Sequence, residues 1–220
     1  MASVVTEQEL LDTVDEAFAV TGRGLAPWPD PHPDRRPRAE EYSRLSDPAK
    51  WRIIGARADA WVVALPAAGL AEVERDAAIR WEALPGTVLS RADRLVPHVA
   101  GGLPLVVARS RLGPVDDAGV TLGAGDPAVV IGWIPDCGCD ACDSGSQDVL
   151  DELDEVIVGV VSGAFRRVVS GDRVITVIST DRWNASSSGS GGFDRGEVAR
   201  ILADPTGWRE VSGVSWLAGG

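Results

Sequence analysis

The spacing of hydrophobic residues changes along this 220-residue chain, and that change limits the folds that it can adopt. In the first third, apolar residues recur at helical spacing in three segments, 6–21, 46–65 and 70–84. In the middle, short apolar runs at 103–110 and 127–134 are typical of paired strands. Helices that precede strands and further helices predict an α+β fold, with a helical N-terminal third and then a small, mostly antiparallel sheet.

The longest helical pattern runs from Val149 to Val168 and predicts an amphipathic helix that packs on this sheet. Acidic residues fill its early turns, and Arg166 and Arg167 lie near its expected end, where positive charge complements the helix macrodipole. The other expected elements are a hairpin loop with a short strand at 111–122, a strand at 173–180, a short helix at 194–202 and a strand at 208–218. The expected N-terminal caps are Thr6 with Glu9 for the first helix, Ser46 or Asp47 for the second and Asp194 for the short helix.

We expect residues 1–220 to form a single domain, because this length and an apolar content of 45% suit one sizeable core. Residues 24–38 carry five prolines, which predicts an irregular arm. We expect this arm to lie on its own domain, although a proline-rich ligand for another protein is the alternative. Residues 183–193 are rich in serine and glycine, which predicts a flexible surface loop.

The formal net charge of −12 argues against nucleic acids and anionic membrane surfaces as partners, because both would be repelled on average. No stretch of 18 apolar residues predicts a membrane span, and the N-terminus lacks the pattern of a secretory signal. We therefore expect a cytoplasmic protein. In that reducing compartment a cysteine cluster is more often a metal or redox site than a disulfide.

All three cysteines lie in the segment 135–146, PDCGCDACDSGS, which we call the cysteine loop. Thiolates at this spacing can converge on one zinc ion at about 2.3 Å, and a tetrahedral site then needs one more ligand. The pattern predicts a structural zinc site formed by Cys137, Cys139, Cys142 and His98. The alternatives for the fourth ligand are His32 and, after it, Asp136, Asp140 or Asp143.

Two other interpretations of the loop remain open. Cys139 and Cys142 precede a helix, as in thiol-disulfide oxidoreductases, although we expect the neighbouring aspartates to disfavour a reactive thiolate. The thiols can also be inert, buried and reduced. Outside the loop no catalytic constellation is evident, so we predict no catalytic residues and favour a binding or regulatory function. A small acidic immunity-type or partner-binding protein is a further alternative.

Two segments of the chain, WPDPHPDRRPRAEEYSRLSDPAKWRI at 28–53 and PDCGCDACDSGS at 135–146, carry a family resemblance. On these segments the chain resembles a family of uncharacterised actinobacterial proteins that is classed as a domain of unknown function. The resemblance implies a bacterial cytoplasmic setting and one domain over most of the chain. It implies no reaction and no catalytic residues.

Overall fold

The structure is a computed structural model that describes residues 5–179, 182–187 and 192–217. Within these residues there are four α-helices, α1 (Glu7–Thr21), α2 (Arg52–Ala67), α3 (Ser146–Val161) and α4 (Arg195–Ala203). The strands are β1 (Ala71–Glu74), β2 (Leu89–Pro97), β3 (Leu105–Leu112), β4 (Val115–Ala124), β5 (Val129–Ile134), β6 (Arg166–Ser170), β7 (Arg173–Val177), β8 (Trp183–Ser186) and β9 (Arg209–Ser212). The prediction of a mixed α+β fold is confirmed.

The strands form two antiparallel sheets, where the sequence had predicted one. The first sheet has five strands in the order β1-β2-β3-β4-β5, and the second has four in the order β8-β7-β6-β9. Both apolar runs that predicted strands belong to the first sheet, as β3 and β5, and the segment between them forms the ten-residue strand β4. Strand β2 had no sequence signal, because polar residues such as Arg91 and Asp93 interrupt its apolar pattern.

Helix α2 lies at the centre of the main core. It contacts α1, and it also contacts β4 of the first sheet. Its side chains Ile54, Trp61 and Leu65 are completely buried. Arg57 is also buried and forms ion pairs with Asp15 of α1 and Asp154 of α3, each at 2.6 Å. Three helices are thus connected through one guanidinium group.

The predicted cap of α1 is confirmed. The Thr6 hydroxyl accepts a hydrogen bond from the Glu9 amide at 3.2 Å, and the Glu9 carboxylate accepts one from the Thr6 amide at 2.8 Å. The short helix α4 is capped by Asp194, which accepts from the Glu197 amide at 2.7 Å. Both caps depend on residues three positions apart, which is why the sequence alone predicts them.

The prediction of a third helix at 70–84 is wrong, and the prediction of a helical N-terminal third is therefore wrong for this segment. Gly69 adopts a positive φ of 72° after α2, and the chain then forms β1 and an irregular segment up to residue 88. Ile79 and Trp81 contact a second, smaller core on the far face of the first sheet, which includes Val106 and Ala108. Leu70 and Val73 contact the main core, so the apolar residues of this segment face two different cores and not one side of a helix.

Helix α3 ends at Val161 and not at Val168. Gly163 has a positive φ of 77°, and a Cβ atom there would lie 2.7 Å from the amide nitrogen of Ser215. This close approach requires glycine and turns the chain out of the helix. Arg166 and Arg167 consequently lie in β6 and not at a helix end. Arg166 forms an ion pair with Glu210 of β9, and Arg167 forms one with Glu82 of the segment before β2.

The second sheet has its own small core of Val168, Ile175 and Val198, the last from α4. Strand β8 lies inside the segment 183–193 that was predicted to be a flexible loop, so that prediction is wrong for Trp183–Ser186. Residues 188–191 of the same segment lie outside the described residues. Across the described chain, every helix is too short or too polar to cross a membrane.

Candidate metal centre

The cysteine loop follows β5 at one end of the first sheet and leads into α3. The Sγ atoms of Cys137, Cys139 and Cys142 all lie within 4.8 Å of one another. The Sγ atoms of Cys137 and Cys139 are 3.3 Å apart. Four thiolates around a zinc ion at about 2.3 Å would be separated by roughly 3.8 Å, so the three thiols need little adjustment to share one ion.

Gly138 permits this convergence. It has a positive φ of 66°, and a Cβ atom there would lie 2.7 Å from the side chain of Leu112. The next residues, Asp140–Cys142, form a single 3₁₀ turn in which the Cys142 amide donates to the Cys139 carbonyl at 3.0 Å. The glycine and the tight turn bring the thiols to the same side of the loop.

His98 does not join the thiols. It follows β2, whose Leu95 pairs with Leu105 at the start of β3. The cysteine loop follows Ile134 of β5, which pairs with Val120 of β4, and Val120 pairs with β3 near the other end of that strand. The two segments therefore lie at opposite ends of the first sheet. The His98 Nδ1 atom is instead 2.8 Å from the Gly69 carbonyl oxygen.

His32 is also placed elsewhere, with Nε2 3.5 Å from the carboxylate of the buried Glu41. In the described part of the chain, no imidazole or carboxylate belongs to the group of three thiols. The structure thus brings together three of the four predicted ligands.

Asp140 anchors the loop to the segment before α2. Its carboxylate accepts hydrogen bonds from the Ser46 amide at 2.9 Å, the Ser46 hydroxyl at 2.6 Å and Arg44 at 2.5 Å. The two bonds from Ser46, followed by the Arg44 guanidinium, lower the pKa of Asp140 to about 2. Ser46 was expected to cap the second helix; it binds Asp140 instead, and α2 begins only at Arg52.

Asp143 provides a second anchor and is buried, with 4% of its surface exposed. Its carboxylate accepts from the Trp28 indole at 2.8 Å and from the Gly145 amide at 3.0 Å, and it forms an ion pair with Lys50. The Lys50 ammonium lies 5.0 Å from the ring centre of Trp28 and 5.3 Å from that of Trp51. Asp143 is thus fully engaged by the protein.

The proline-rich arm lies against the cysteine loop through Trp28. The Trp28 ring meets the Trp51 ring edge to face, with 5.4 Å between the ring centres. The Trp28 carbonyl oxygen accepts a hydrogen bond from the Ser146 amide at 3.0 Å. Gly145 has so little room that a Cβ atom would lie 2.7 Å from the Asp30 amide nitrogen. The loop is therefore held between the arm and the residues that precede α2.

The three thiols are not equivalent. Burial raises the pKa of Cys139, but hydrogen bonds from the other two thiols and from the amides of Cys142 and Ala141 outweigh it, and the pKa falls below its usual value. The Cys142 thiol contacts those of Cys137 and Cys139, and these contacts raise the pKa of Cys142 to about 12. Asp140 and Asp143, which were expected to disfavour a thiolate, are paired with the cations of Arg44 and Lys50.

A sequence profile described as a family of unknown function, DUF6226, matches residues 14–216. The chain belongs to this family. The match includes the proline-rich arm, the cysteine loop and both sheets. A search of the curated proteins and a search of the solved structures each found no match. Membership of DUF6226 assigns no reaction.

In this DUF6226 chain, a pocket of about 310 Å³ opens beside the cysteine loop. Its lining includes Thr87, Arg111, Leu112, Trp133, Pro135 and Asp136. Leu112 also contacts Gly138, so the pocket and the cysteine loop share a wall. Trp133 is 46% exposed, so its ring is accessible to a molecule in the pocket.

The sequence indicated the thiols but not the residues that hold the loop. Trp28 and Asp143 are 115 positions apart, and Arg44 and Asp140 are 96 apart. No local spacing connects such pairs. The one available signal was the presence of aromatic and charged residues in the arm segment that also carries the family resemblance.

Proposed function

We propose that this chain is a metal-binding protein with a binding or regulatory role, in which Cys137, Cys139 and Cys142 hold one zinc ion. The observation that carries the proposal is the group of three Sγ atoms within 4.8 Å of one another. Soft thiolate ligands select zinc or cuprous copper among common metals, and zinc is the usual ion in small cysteine sites. A cytoplasmic setting, in which the thiols stay reduced, is part of the proposal.

In this proposal the ion acts as a structural clip between the end of β5 and the start of α3. The contacts of Asp140, between Cys139 and Cys142, and of Asp143, directly after Cys142, hold the loop in place, which keeps the thiols close before a metal arrives. Such preorganisation reduces the entropy lost when the ion binds. We therefore expect metal loss to loosen the loop without unfolding the domain.

The test is elemental analysis of protein purified without a histidine tag, followed by melting curves with and without a strong chelator. We expect close to one zinc per chain, and a chelator should lower the free energy of unfolding by roughly 2 kcal/mol, because an ion that binds only the folded state stabilises it. Cys139→Ser should lose the metal, whereas His98→Ala and the loop control Ser144→Ala should keep it. A metal-free native protein whose melt is the same as that of Cys139→Ser would contradict the proposal.

A thiol-disulfide oxidoreductase is the second candidate, favoured by the lowered pKa of Cys139. The pKa of about 12 for Cys142 argues against the predicted Cys139/Cys142 pair, because a thiol of high pKa is a poor leaving group. A disulfide-reductase assay on metal-free protein separates the two functions. Activity that Cys139→Ser abolishes and Ser144→Ala retains would favour the oxidoreductase.

A further inference from the structure

We propose that the fourth coordination position of this metal takes an external ligand, a small thiol that carries both an ammonium and a carboxylate group. The inference rests on the proposed metal site. Zinc in proteins is mostly four-coordinate, and sites with three protein ligands leave the fourth position to water or substrate. Cys137 and Cys142 are exposed and Cys139 is half-buried, so solvent reaches this part of the loop.

The neighbouring side chains that could complete the site are committed elsewhere. Asp140 and Asp143 accept three hydrogen bonds or ion pairs each from protein groups. His98 is at the far end of the first sheet, and His32 faces Glu41. Of the three carboxylates in the cysteine loop, all within the described residues, the exposed one of Asp136 has no hydrogen bond or ion pair, and it is not in the thiol group.

The pocket beside the loop has the size and walls of a small-molecule site. Its volume of about 310 Å³ is at the lower end of the range for ligand pockets, which fits a small ligand. Trp133, Leu112 and Pro135 give it an apolar wall. Asp136 lines the pocket and directly precedes Cys137, so a ligand in this pocket would lie beside the cysteine loop.

The polar residues of the pocket indicate the class of ligand. Arg111 donates through Nε to Asp116 at 2.7 Å, and its two Nη groups have no other hydrogen bond to a described residue. They can receive a carboxylate. Thr87 lines the same pocket, and its hydroxyl donates to the Arg111 carbonyl at 3.4 Å. The Asp136 carboxylate can pair with an ammonium group. A ligand with both charges on a short skeleton, such as an amino-acid thiol, matches this lining.

The chemistry at the metal is a ligand exchange without oxidation or reduction. The thiol loses its proton to solvent, its sulfur forms the fourth metal–sulfur bond, and a metal-bound water leaves. Coordination favours this deprotonation because a metal-bound thiol is held as the thiolate. A soft thiolate also suits a centre that already has three sulfur ligands better than a carboxylate or hydroxyl does.

The experiment uses the full chain loaded with Co²⁺, whose thiolate charge-transfer absorption reports the number of sulfur ligands. Cysteine should raise this absorption by about one third at saturation, since the sulfur ligands increase from three to four. Serine, which has the same skeleton and charges without the thiol, should leave it unchanged. 2-Mercaptoethanol, which has the thiol without the charges, should bind more weakly than cysteine.

Variants then test the pocket. Trp133→Ala and Arg111→Gln should each weaken cysteine binding about tenfold or more while the cobalt content stays the same. The matched control is Trp183→Ala, which removes a tryptophan from β8 of the other sheet and should leave cysteine binding and cobalt content unchanged. Equal cysteine affinity in all three variants would overturn the pocket assignment.

Other outcomes overturn the inference in distinguishable ways. A chain that binds no cobalt removes the proposed function and this inference together. Cobalt that binds but does not respond to cysteine, or that cysteine strips from the protein, overturns the inference alone. A changed cobalt spectrum in ligand-free Asp136→Asn would show that the chain fills the position itself. A cobalt-dependent dimer in sedimentation would assign the position to a second copy.

Discussion

In α2, Ile54, Trp61 and Leu65 have no exposed surface, whereas the cysteine loop is fixed mainly by the hydrogen bonds and ion pairs of Asp140 and Asp143. Apolar burial is non-directional and strong per residue, so it sets the free energy of unfolding. Hydrogen bonds are directional and weaker in net terms, so they are suited to fixing a geometry. The difference indicates that the helix supplies stability and that the loop supplies the positions of its thiols.

The largest expected effect comes from the apolar side of this comparison. Leu65→Ala should lower the free energy of unfolding by about 2–5 kcal/mol, because it removes buried methyl groups and leaves a cavity. Its control is Val63→Ala in the same helix, where the side chain is 46% exposed and the loss should stay below about 0.5 kcal/mol. Denaturant unfolding measures both. Comparable losses in the two variants would contradict the central role given to α2.

The second prediction concerns the polar anchor of the loop. Asp143→Asn should cost about 2–3 kcal/mol, because it leaves Lys50 without its partner among two tryptophan rings. Adding Lys50→Met to this variant should recover part of the loss. Asp136→Asn, an exposed neighbour in the same loop, is the control and should cost less than about 0.5 kcal/mol. If Asp143→Asn behaves like Asp136→Asn in denaturant unfolding, the loop is not held by this ion pair.

How much could be predicted from the sequence depends on how far apart in the chain two interacting residues are. Thr6 with Glu9 and Asp194 with Glu197 are local pairs, and both caps were predicted correctly. Interactions between distant residues were not predictable, which is why the contact between Trp28 and Asp143 was missed and why His98 was chosen as a ligand.

Periodicity failed where one segment serves two cores or turns sharply. The residues at 70–84 have helical spacing, yet Leu84 is 88% exposed and Trp81 contacts the far face of the first sheet. The helical pattern that continued to Val168 could not reveal the turn at Gly163, which depends on the close approach of Ser215. In both cases tertiary contacts overrode a local pattern.

The third prediction asks whether a less buried ion pair has a smaller effect than that of Asp143. Glu82 lies on the segment before β2 and forms ion pairs with Arg167 and Arg209 of the second sheet, at 3.1 and 2.8 Å. Burial raises the pKa of Glu82, but hydrogen bonds from Arg209 and Arg167 outweigh it and leave the pKa below its usual value.

Because the folded-state pKa of Glu82 is lowered, its contribution to stability is present above the unfolded pKa of about 4.5 and is lost as the pH falls through the folded value. Glu82→Gln should therefore cost about 0.5–1 kcal/mol at neutral pH, discounted for the partly exposed carboxylate. The difference from the native chain should shrink below pH 4.5. Urea unfolding at several pH values measures this, and a difference that is independent of pH would contradict the assignment.

The smallest effect on global stability, and the most local one, is expected in the proline-rich arm. Arg35 forms a bidentate ion pair with Glu41, and the Arg38 amide donates to the same carboxylate at 2.6 Å, so the arm is folded back on itself between these residues. Trypsin can cut after Arg35 or Arg38 only when this segment opens, and the frequency of opening depends on local contacts. Glu41→Gln should therefore speed cleavage in the arm several-fold, while the global free energy of unfolding changes by less than about 1 kcal/mol.

Glu40→Gln, an exposed neighbour, is the control and should leave the cleavage rate unchanged. Rapid cutting of the native arm at the rate of an unfolded peptide would show instead that the arm is free, and would restore its interpretation as a proline-rich ligand for another protein.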